Sequence, residues 1–251
     1  MNIISWNING LRSSADKFLE YVKNTNYNFY CLQEVRADYN QIPFDLLNAG
    51  NYKLVLNSSK KKGYSGVAVY CKNEPKNIQK IINFNKFDMD GRFLQLDYDN
   101  FSLINVYIPN GGRKKEFFEY KFDTYKFLFD YIKKKKKTII CGDFNIAHED
   151  IDLARPKDNQ NNTMFTPKER EIIDGLLKLK YIDTFRVDHS GGGYYSWWYN
   201  FHNARERNIG WRIDYIFISE DLLPNFDKSF ISSGIMGSDH CPVGISINLD
   251  F

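Results

Sequence analysis

Hydrophobic positions in this chain fall mostly into short runs set off by Gly, Asn, Asp and Pro, and only a few longer stretches repeat apolar residues at helical spacing. Short runs rich in Val, Ile, Tyr and Phe read as strands, because branched and aromatic side chains suit a pleated, half-buried surface. They occur at 2–6, 29–33, 53–57, 66–71, 93–97, 101–108, 138–141, 194–198, 213–218 and 243–248. Helical spacing is clearest at 14–24, 114–134 and 166–178. The last of these opens on Thr166-Pro167-Lys168-Glu169, an N-cap residue, a proline at the first helical position and an acid in the first turn. Many strands and few amphipathic helices predict an α/β architecture of two packed sheets with helices outside them. Each sheet then buries one face on the other sheet and one on a helix layer. No internal repeat is visible, and the polar stretch 157–163 is expected to be a surface loop.

Length adds that residues 1–251 are expected to form one large domain with apolar content ample for a core. A net charge of +3 permits a phosphate-rich partner without demanding one. Cys31, Cys71, Cys141 and Cys241 are far apart and sit in or beside strand-like runs, so they read as buried, reduced thiols and not as a disulfide framework or a zinc site. The chain enters a strand at once, without a leader pattern, and no apolar run approaches bilayer length. A cytoplasmic location without a membrane partner is the expectation.

Candidate chemistry sits where strand runs end. Gly237-Ser238-Asp239-His240-Cys241-Pro242-Val243 places an imidazole beside a carboxylate, a pairing able to hold or pass a proton near neutral pH. Consecutive residues of an extended chain point apart, so the carboxylate orienting His240 is expected from elsewhere, with Asp214 as the candidate. Cys141-Gly142-Asp143-Phe144-Asn145 ends a strand in an acid and an amide that, on an extended segment, would face one side together. An Asx-turn is the alternative there. Glu34, closing Cys31-Leu32-Gln33-Glu34, is a candidate ligand for a hard cation such as Mg²⁺, and a surface pair with Arg36 is its rival. Ile3-Ile4-Ser5-Trp6-Asn7-Ile8-Asn9-Gly10 ends in two amides. Tyr107-Ile108-Pro109-Asn110-Gly111-Gly112-Arg113 ends in a phenol, an amide and a guanidinium, all donors suited to phosphate. Trp197, Trp198 and Trp211, interleaved with Phe201, Arg205 and Arg207, can line a pocket for an unstacked sugar or base, or can simply fill core. The lysine runs 60–62 and 133–137 default to solvated loop and helix end.

Together these motifs resemble the exonuclease III type of apurinic/apyrimidinic (AP) endonucleases, within the wider endonuclease/exonuclease/phosphatase fold. The resemblance runs from Ser5-Trp6-Asn7 to Ser238-Asp239-His240 and takes in Leu32-Gln33-Glu34, Gly63-Tyr64-Ser65-Gly66-Val67, Gly142-Asp143-Phe144-Asn145-Ile146-Ala147-His148, Ile151-Asp152-Leu153, Phe165-Thr166-Pro167 and Asn208-Ile209-Gly210-Trp211-Arg212-Ile213-Asp214-Tyr215. It implies a four-layered αββα sandwich of two mixed sheets. It also implies Mg²⁺-dependent hydrolysis, with Mn²⁺ as a substitute, of the phosphodiester 5′ to an abasic site in duplex DNA. Activity as a 3′–5′ exonuclease and on 3′-blocked ends is implied as well, by a monomer. By this likeness Glu34 holds the metal with Asn9 and Asp239 nearby, and Asn7, Asn145, Tyr107 and His240 surround the scissile phosphate. Asp143 positions or activates water and Asp214 orients His240. Trp197, Trp211 and Ile213 match the sugar pocket, Arg113 and Phe201 stand where side chains enter the duplex, and Asn110, Asn159 and Asn162 are expected on the DNA. Other enzymes of the fold, such as secreted nucleases, phosphoinositide phosphatases and sphingomyelinases, fit less well with the Trp-rich segment before Asp214. A catalytically silent DNA-binding relative would be expected to lack Glu34, Asp143 or His240.

Overall fold

Alternation along the strands sorts the apolar side chains into three layers, and this is what builds the fold in the computed structural model, which describes residues 1–250. The strands are β1 (Asn2–Asn7), β2 (Phe29–Gln33), β3 (Lys53–Asn57), β4 (Val67–Cys71), β5 (Asn77–Gln79), β6 (Phe93–Asp97), β7 (Ser102–Tyr107), β8 (Thr138–Asp143), β9 (Tyr181–Asp183), β10 (Trp197–Trp198), β11 (Gly210–Trp211), β12 (Asp214–Ser219), β13 (Phe226–Ile231) and β14 (Val243–Ile247). One sheet runs β13-β14-β1-β2-β4-β3, the other β5-β6-β7-β8-β12-β9, and β10-β11 form a small ribbon. Ile3, Phe29, Cys31, Val69, Leu94, Leu103, Ile139 and Ile216 meet between the two large sheets. The alternate residues Ile4, Trp6, Tyr30 and Leu32 pack outward against Phe18 and Val22 of α1 (Ala15–Thr25). On the far side Ile104, Val106, Ile140 and Phe217 pack against Tyr125, Leu128, Ile173 and Leu176. The expected four-layered α/β sandwich of two mixed sheets is therefore the observed one.

The remaining helices in chain order are α2 (Phe44–Leu47), α3 (Asn85–Met89), α4 (Phe118–Ile132), α5 (Pro156–Asn159), α6 (Pro167–Lys178) and α7 (Thr184–Asp188). The start of α6 obeys its sequence signal: the Glu169 N–H donates to Thr166 Oγ1 and the Thr166 N–H donates back to the Glu169 carboxylate. Other segments correct the pattern-based expectations. The helix expected over 114–134 begins at Phe118, because Gly111 and Gly112 take positive φ angles of 90° and 79° and the chain is still turning. The strand expected over 194–198 shrinks to Trp197–Trp198, and part of the expected loop 157–163 is α5, started by Pro156. β5, β9 and β13 escape the pattern because strands at sheet edges need not alternate cleanly, and β5 and β9 are only three residues long. Among the described residues no helix is long and apolar enough to cross a membrane, and all four cysteines are buried and unpaired in disulfides.

Register decides which strand ends meet. β1 and β2 are parallel, with Asn7 opposite Gln33, and β7 and β8 are parallel, with Tyr107 opposite Asp143. β12 runs antiparallel to β8, so Asp214 lies opposite Asp143 at the same end. Between the sheets Gln33 Nε2 donates to Asn105 Oδ1 (2.7 Å) and Asn105 Nδ2 donates to the Leu32 and Ala68 carbonyls, which pins one sheet's register to the other.

Candidate active site

Each of these strands ends in a backbone that turns abruptly, and the turns aim polar side chains at a common point. Asn9, Glu34, Arg36 and Asn145 all take left-handed φ angles, between 49° and 52°. Such conformations are uncommon for side-chain-bearing residues and persist where surrounding contacts fix them. Here the Ile8 N–H donates to Gln33 O, the Gly10 N–H to Glu34 O and the Val35 N–H to Gly66 O, so neighbouring turns hold one another. Asn145 corrects the extended-segment expectation. Its N–H donates to Asp143 Oδ1 (2.9 Å), an Asx-type turn, and its Nδ2 donates to Ile108 O.

The side chains form a continuous web. Asn7 Nδ2 donates to both Glu34 Oε1 (3.1 Å) and Asp143 Oδ2 (2.9 Å), and Tyr107 Oη donates to Glu34 Oε1 (2.6 Å). Arg36 pairs with the other oxygen of Glu34, so the surface-pair reading of that glutamate holds alongside the site reading. His240 Nδ1 lies 2.8 Å from Asp214 Oδ2, a carboxylate taken from outside its own segment as the alternation argument required, and Nδ1 therefore carries a proton. His240 Nε2 then faces Asp143 Oδ2 at 4.0 Å. Asp239, next in sequence, instead accepts from Asn9 Nδ2 (2.8 Å) and Trp197 Nε1 (3.1 Å).

Burial sets the protonation states. The Asp143 carboxyl is pushed up to about 7, first by burial and then by the Asp214 charge, with His240 and Asn7 opposing. Burial works against the charged form of His240, yet Asp214 beside it, helped by Asp143 and Asp239, lifts it to about 10. Glu34 is held below the usual carboxylate range although burial opposes this, through bonds from Tyr107 and Asn7 and the charge of Arg36. Asp239 is also lowered against its burial, by His240 and by its Trp197 and Asn9 donors. At neutral pH the site thus carries the His240 imidazolium, the ionised Glu34 and Asp239, and in Asp143 a carboxyl poised to change state.

Among the described residues two clusters offer ligand atoms to a cation, and one of them, His148, Glu149 and Asp174, lies outside this web. Asp143, Asp214 and His240 offer ligand atoms within 4.8 Å of one another, but all three are buried and His240 and Asp214 already bond each other. Glu34 and Asp239 are each ionised, partly open and bonded by an amide, Asn7 and Asn9 respectively, and so each is an oxygen donor of the kind a hard divalent ion takes.

Beside this web lies a cleft of about 750 Å³ lined in part by Asn110, Arg113, Asn159, Asn162, Phe201 and Trp211. Phe201 is 69% exposed at its rim, while Trp211 is only 7% exposed and packs with Ile213, Leu153, Phe165 and the half-buried Trp197. The Trp197 ring lies 6.4 Å from that of Trp211 and 6.3 Å from His240, so apolar wall and polar web adjoin. Trp198 faces the other way, buried, with the Arg205 guanidinium 4.6 Å from its ring. Arg205 donates to the carbonyls of Ser233, Ile235 and Ser238 and so braces the loop that carries Asp239.

Residues 4–240 match the endonuclease/exonuclease/phosphatase family. The chain belongs to that family. It is 42% identical to the exodeoxyribonuclease of Bacillus subtilis over 99% of this chain and 100% of that one. It is 38% identical to the DNA repair nuclease APEX1 of Danio rerio, covering 97% of this chain and 81% of that one. An AP endonuclease structure from Archaeoglobus fulgidus superposes with a TM-score of 0.91 at 25% identity, covering 99% of this chain and 100% of that one. The same TM-score of 0.91, at 25% identity and the same coverage, relates it to a 3′ phosphatase from Neisseria bound to a product DNA hairpin. This member of the endonuclease/exonuclease/phosphatase family is a nuclease, a hydrolase acting on DNA in repair.

Sequence reasoning passed over several residues that hold the site of this nuclease together. Ser196 Oγ donates to Asp214 Oδ2 (2.6 Å) while accepting the Ile213 and Asp214 N–H groups, and Trp6 Nε1 donates to His240 O. Lys121 and Glu169, both fully buried, pair beneath the cleft, where Lys121 Nζ also donates to Asn145 O (2.7 Å). Lys121, one charge within an amphipathic helix, carries no local signal, and Glu169 is legible only as a capping acid, so their burial is what reveals the pair.

Proposed function

We propose that this protein cuts duplex DNA 5′ to abasic sites and also acts as a 3′–5′ exonuclease and on 3′-blocked ends, with Mg²⁺ as its metal and Mn²⁺ as a substitute. The observation that carries this reading is the convergence of Glu34, Asp143, Asp214 and His240, linked through Asn7, at the end of a cleft walled by Trp211. In this reading Glu34, with Asn9 and Asp239, holds the ion, which when bound offsets phosphate charge and steadies the departing oxygen. Asn7, Asn145, Tyr107 and the His240 imidazolium donate to the phosphate oxygens, where negative charge builds in the transition state. Asp143, poised near neutrality, takes a proton from the attacking water. The bond from the water oxygen to phosphorus forms as the P–O3′ bond breaks, and the departing O3′ takes up a proton from solvent, leaving a 3′-hydroxyl and a 5′-deoxyribose phosphate. Asp214 holds the imidazolium in its orientation and supplies the charge that keeps it protonated.

Selectivity follows from shape. Trp197, Trp211 and Ile213 suit a sugar that lacks a base, because extruding an unpaired nucleotide costs less than breaking a pair. Arg113 and Phe201 reach into the duplex from the rim, and Asn110, Asn159 and Asn162 hold its backbone. Residues 1–251 act as one domain and as a monomer in the cytoplasm. The test is a gel assay on a duplex with one abasic site and labelled ends, with Mg²⁺ and with EDTA. Nicking 5′ to the site in Mg²⁺ and none in EDTA is expected; retention of the duplex without nicking would make the protein a binding module.

A further inference from the structure

We propose that Arg92 is a positioning residue for the reaction, clamping the Tyr107 ring so that its hydroxyl is held at the scissile phosphate. This inference rests on the reading of Tyr107 as a phosphate contact. Tyr107 is the last residue of β7 and packs against the apolar layer between the sheets, which alone does not fix where its hydroxyl points. Arg92 adds the grip. Its guanidinium carbon lies 4.4 Å from the centre of the Tyr107 ring, close enough for a cation–π contact. Its Nη1 donates to Tyr107 O (3.2 Å), and the Tyr107 N–H donates to Arg92 O (2.9 Å), so backbone and ring are both gripped by the same residue.

Arg92 is itself immobilised. It is 3% exposed, its Nε donates to Asp90 Oδ2 (3.0 Å) and its Nη2 donates to Tyr64 Oη (2.9 Å). Asp90 is held in turn by Tyr120 Oη (2.8 Å). Gly91 lets this segment lie against the loop before Gly66, since a Cβ there would meet Ser58 backbone carbon at 2.5 Å. The guanidinium thus spends its donors on Asp90, Tyr64 and the Tyr107 carbonyl, and presents a flat face to the ring whose hydroxyl reaches Glu34. A lysine could supply the charge but not the plane or the divided donors. Buried at this depth, Arg92 acts through Tyr107 and not by touching DNA.

A double-mutant cycle tests the assignment. Arg92→Met is expected to lower kcat about 10- to 100-fold, the scale for a misplaced catalytic contact, with KM changed less than about threefold. In a Tyr107→Phe background the same substitution is expected to cost less than about twofold. Equal losses in both backgrounds, or a loss confined to KM, would overturn the proposal. Should Arg92→Met fail to fold, Arg92→Lys takes its place with an added readout, the ¹³Cζ resonance of Tyr107 in tyrosine-labelled protein, assigned by its loss in Tyr107→Phe. That resonance is expected to shift and broaden as the ring loses its clamp, and an unchanged resonance with reduced turnover would place Arg92 elsewhere in the mechanism. Full activity of Tyr107→Phe is a separate outcome: it would remove Tyr107 from the phosphate and with it the reading on which this inference stands.

Discussion

Asp143 and His240 face each other at 4.0 Å with their proton affinities pulled in ways that make them partners: the acid is raised to about 7 and the imidazole to about 10. A single-atom change at Asp143 removes the proton acceptor but keeps shape and the bond from Asn7, giving up the bond from the Asn145 N–H. Asp143→Asn is therefore expected to reduce turnover on the order of 10³-fold or more while DNA affinity, read by mobility shift, stays within a few-fold. A second residue-scale prediction concerns Asp152, fully buried and bonded by Arg212 Nε (2.7 Å) and by Arg186. Its carboxyl is lowered to about 2 despite burial, because Arg212 and then Arg186 favour the charged form. The unfolded chain binds this proton first, so the stabilisation is complete above about pH 4 and drains away as pH falls toward 2. It amounts to roughly 2 kcal/mol. Urea melts of wild type are expected to show that loss on acidification, and melts of Asp152→Asn, already destabilised at neutral pH, to lack this part of it.

At the scale of elements, Gly142 shows how tightly β8 is laid beside β7. Its φ is 147°, and a Cβ would sit 1.9 Å from Val106 O. Gly142→Ala must therefore push the two parallel strands apart just where Tyr107 and Asp143 are opposite each other. A melting temperature lowered by about 5 °C or more, with loss of nicking, is expected; a variant of wild-type stability and activity would mean that the strands can part at no cost. The elements themselves were unevenly legible. Thr166-Pro167-Lys168-Glu169 announced α6 because capping is local chemistry. β13 was missed because only Ser229 of its residues is buried, so no alternation marks it, and its extended form comes from pairing with β14. The turn at Asn145 was half legible: the Asx-turn was foreseen as an alternative, while its left-handed φ needed the neighbouring Ile108 carbonyl to fix it.

At the scale of the molecule, the polar web and the apolar cleft are separate devices that share Trp197. Trp211→Ala opens the cleft wall without touching Glu34, so it is expected to weaken discrimination between abasic and intact duplex on the order of tenfold or more while Mg²⁺ affinity stays unchanged. Equal loss of Mg²⁺ affinity would count against two separate devices. Metal and fold are linked in the complementary way. An ion bound only by the folded chain raises stability by an amount set by its concentration relative to Kd. Saturating Mg²⁺ is expected to raise the melting temperature of wild type by a few degrees, roughly 1–3 kcal/mol of stabilisation, and EDTA to remove the rise. Glu34→Gln is expected to show no rise; a full shift in that variant would move the metal to Asp143 and Asp214.

By itself the sequence determined the strand-rich layered architecture, the family, and the residue types gathered at strand ends, because periodicity, capping and motif order are written in neighbouring positions. Only the tertiary structure decided that Asn7 bridges Glu34 to Asp143, and that Arg92, Ser196 and Lys121 stand behind the residues facing the cleft. Those pairings depend on strand register and sheet-to-sheet packing. Both are fixed by contacts between residues far apart in the chain, for which no local pattern exists.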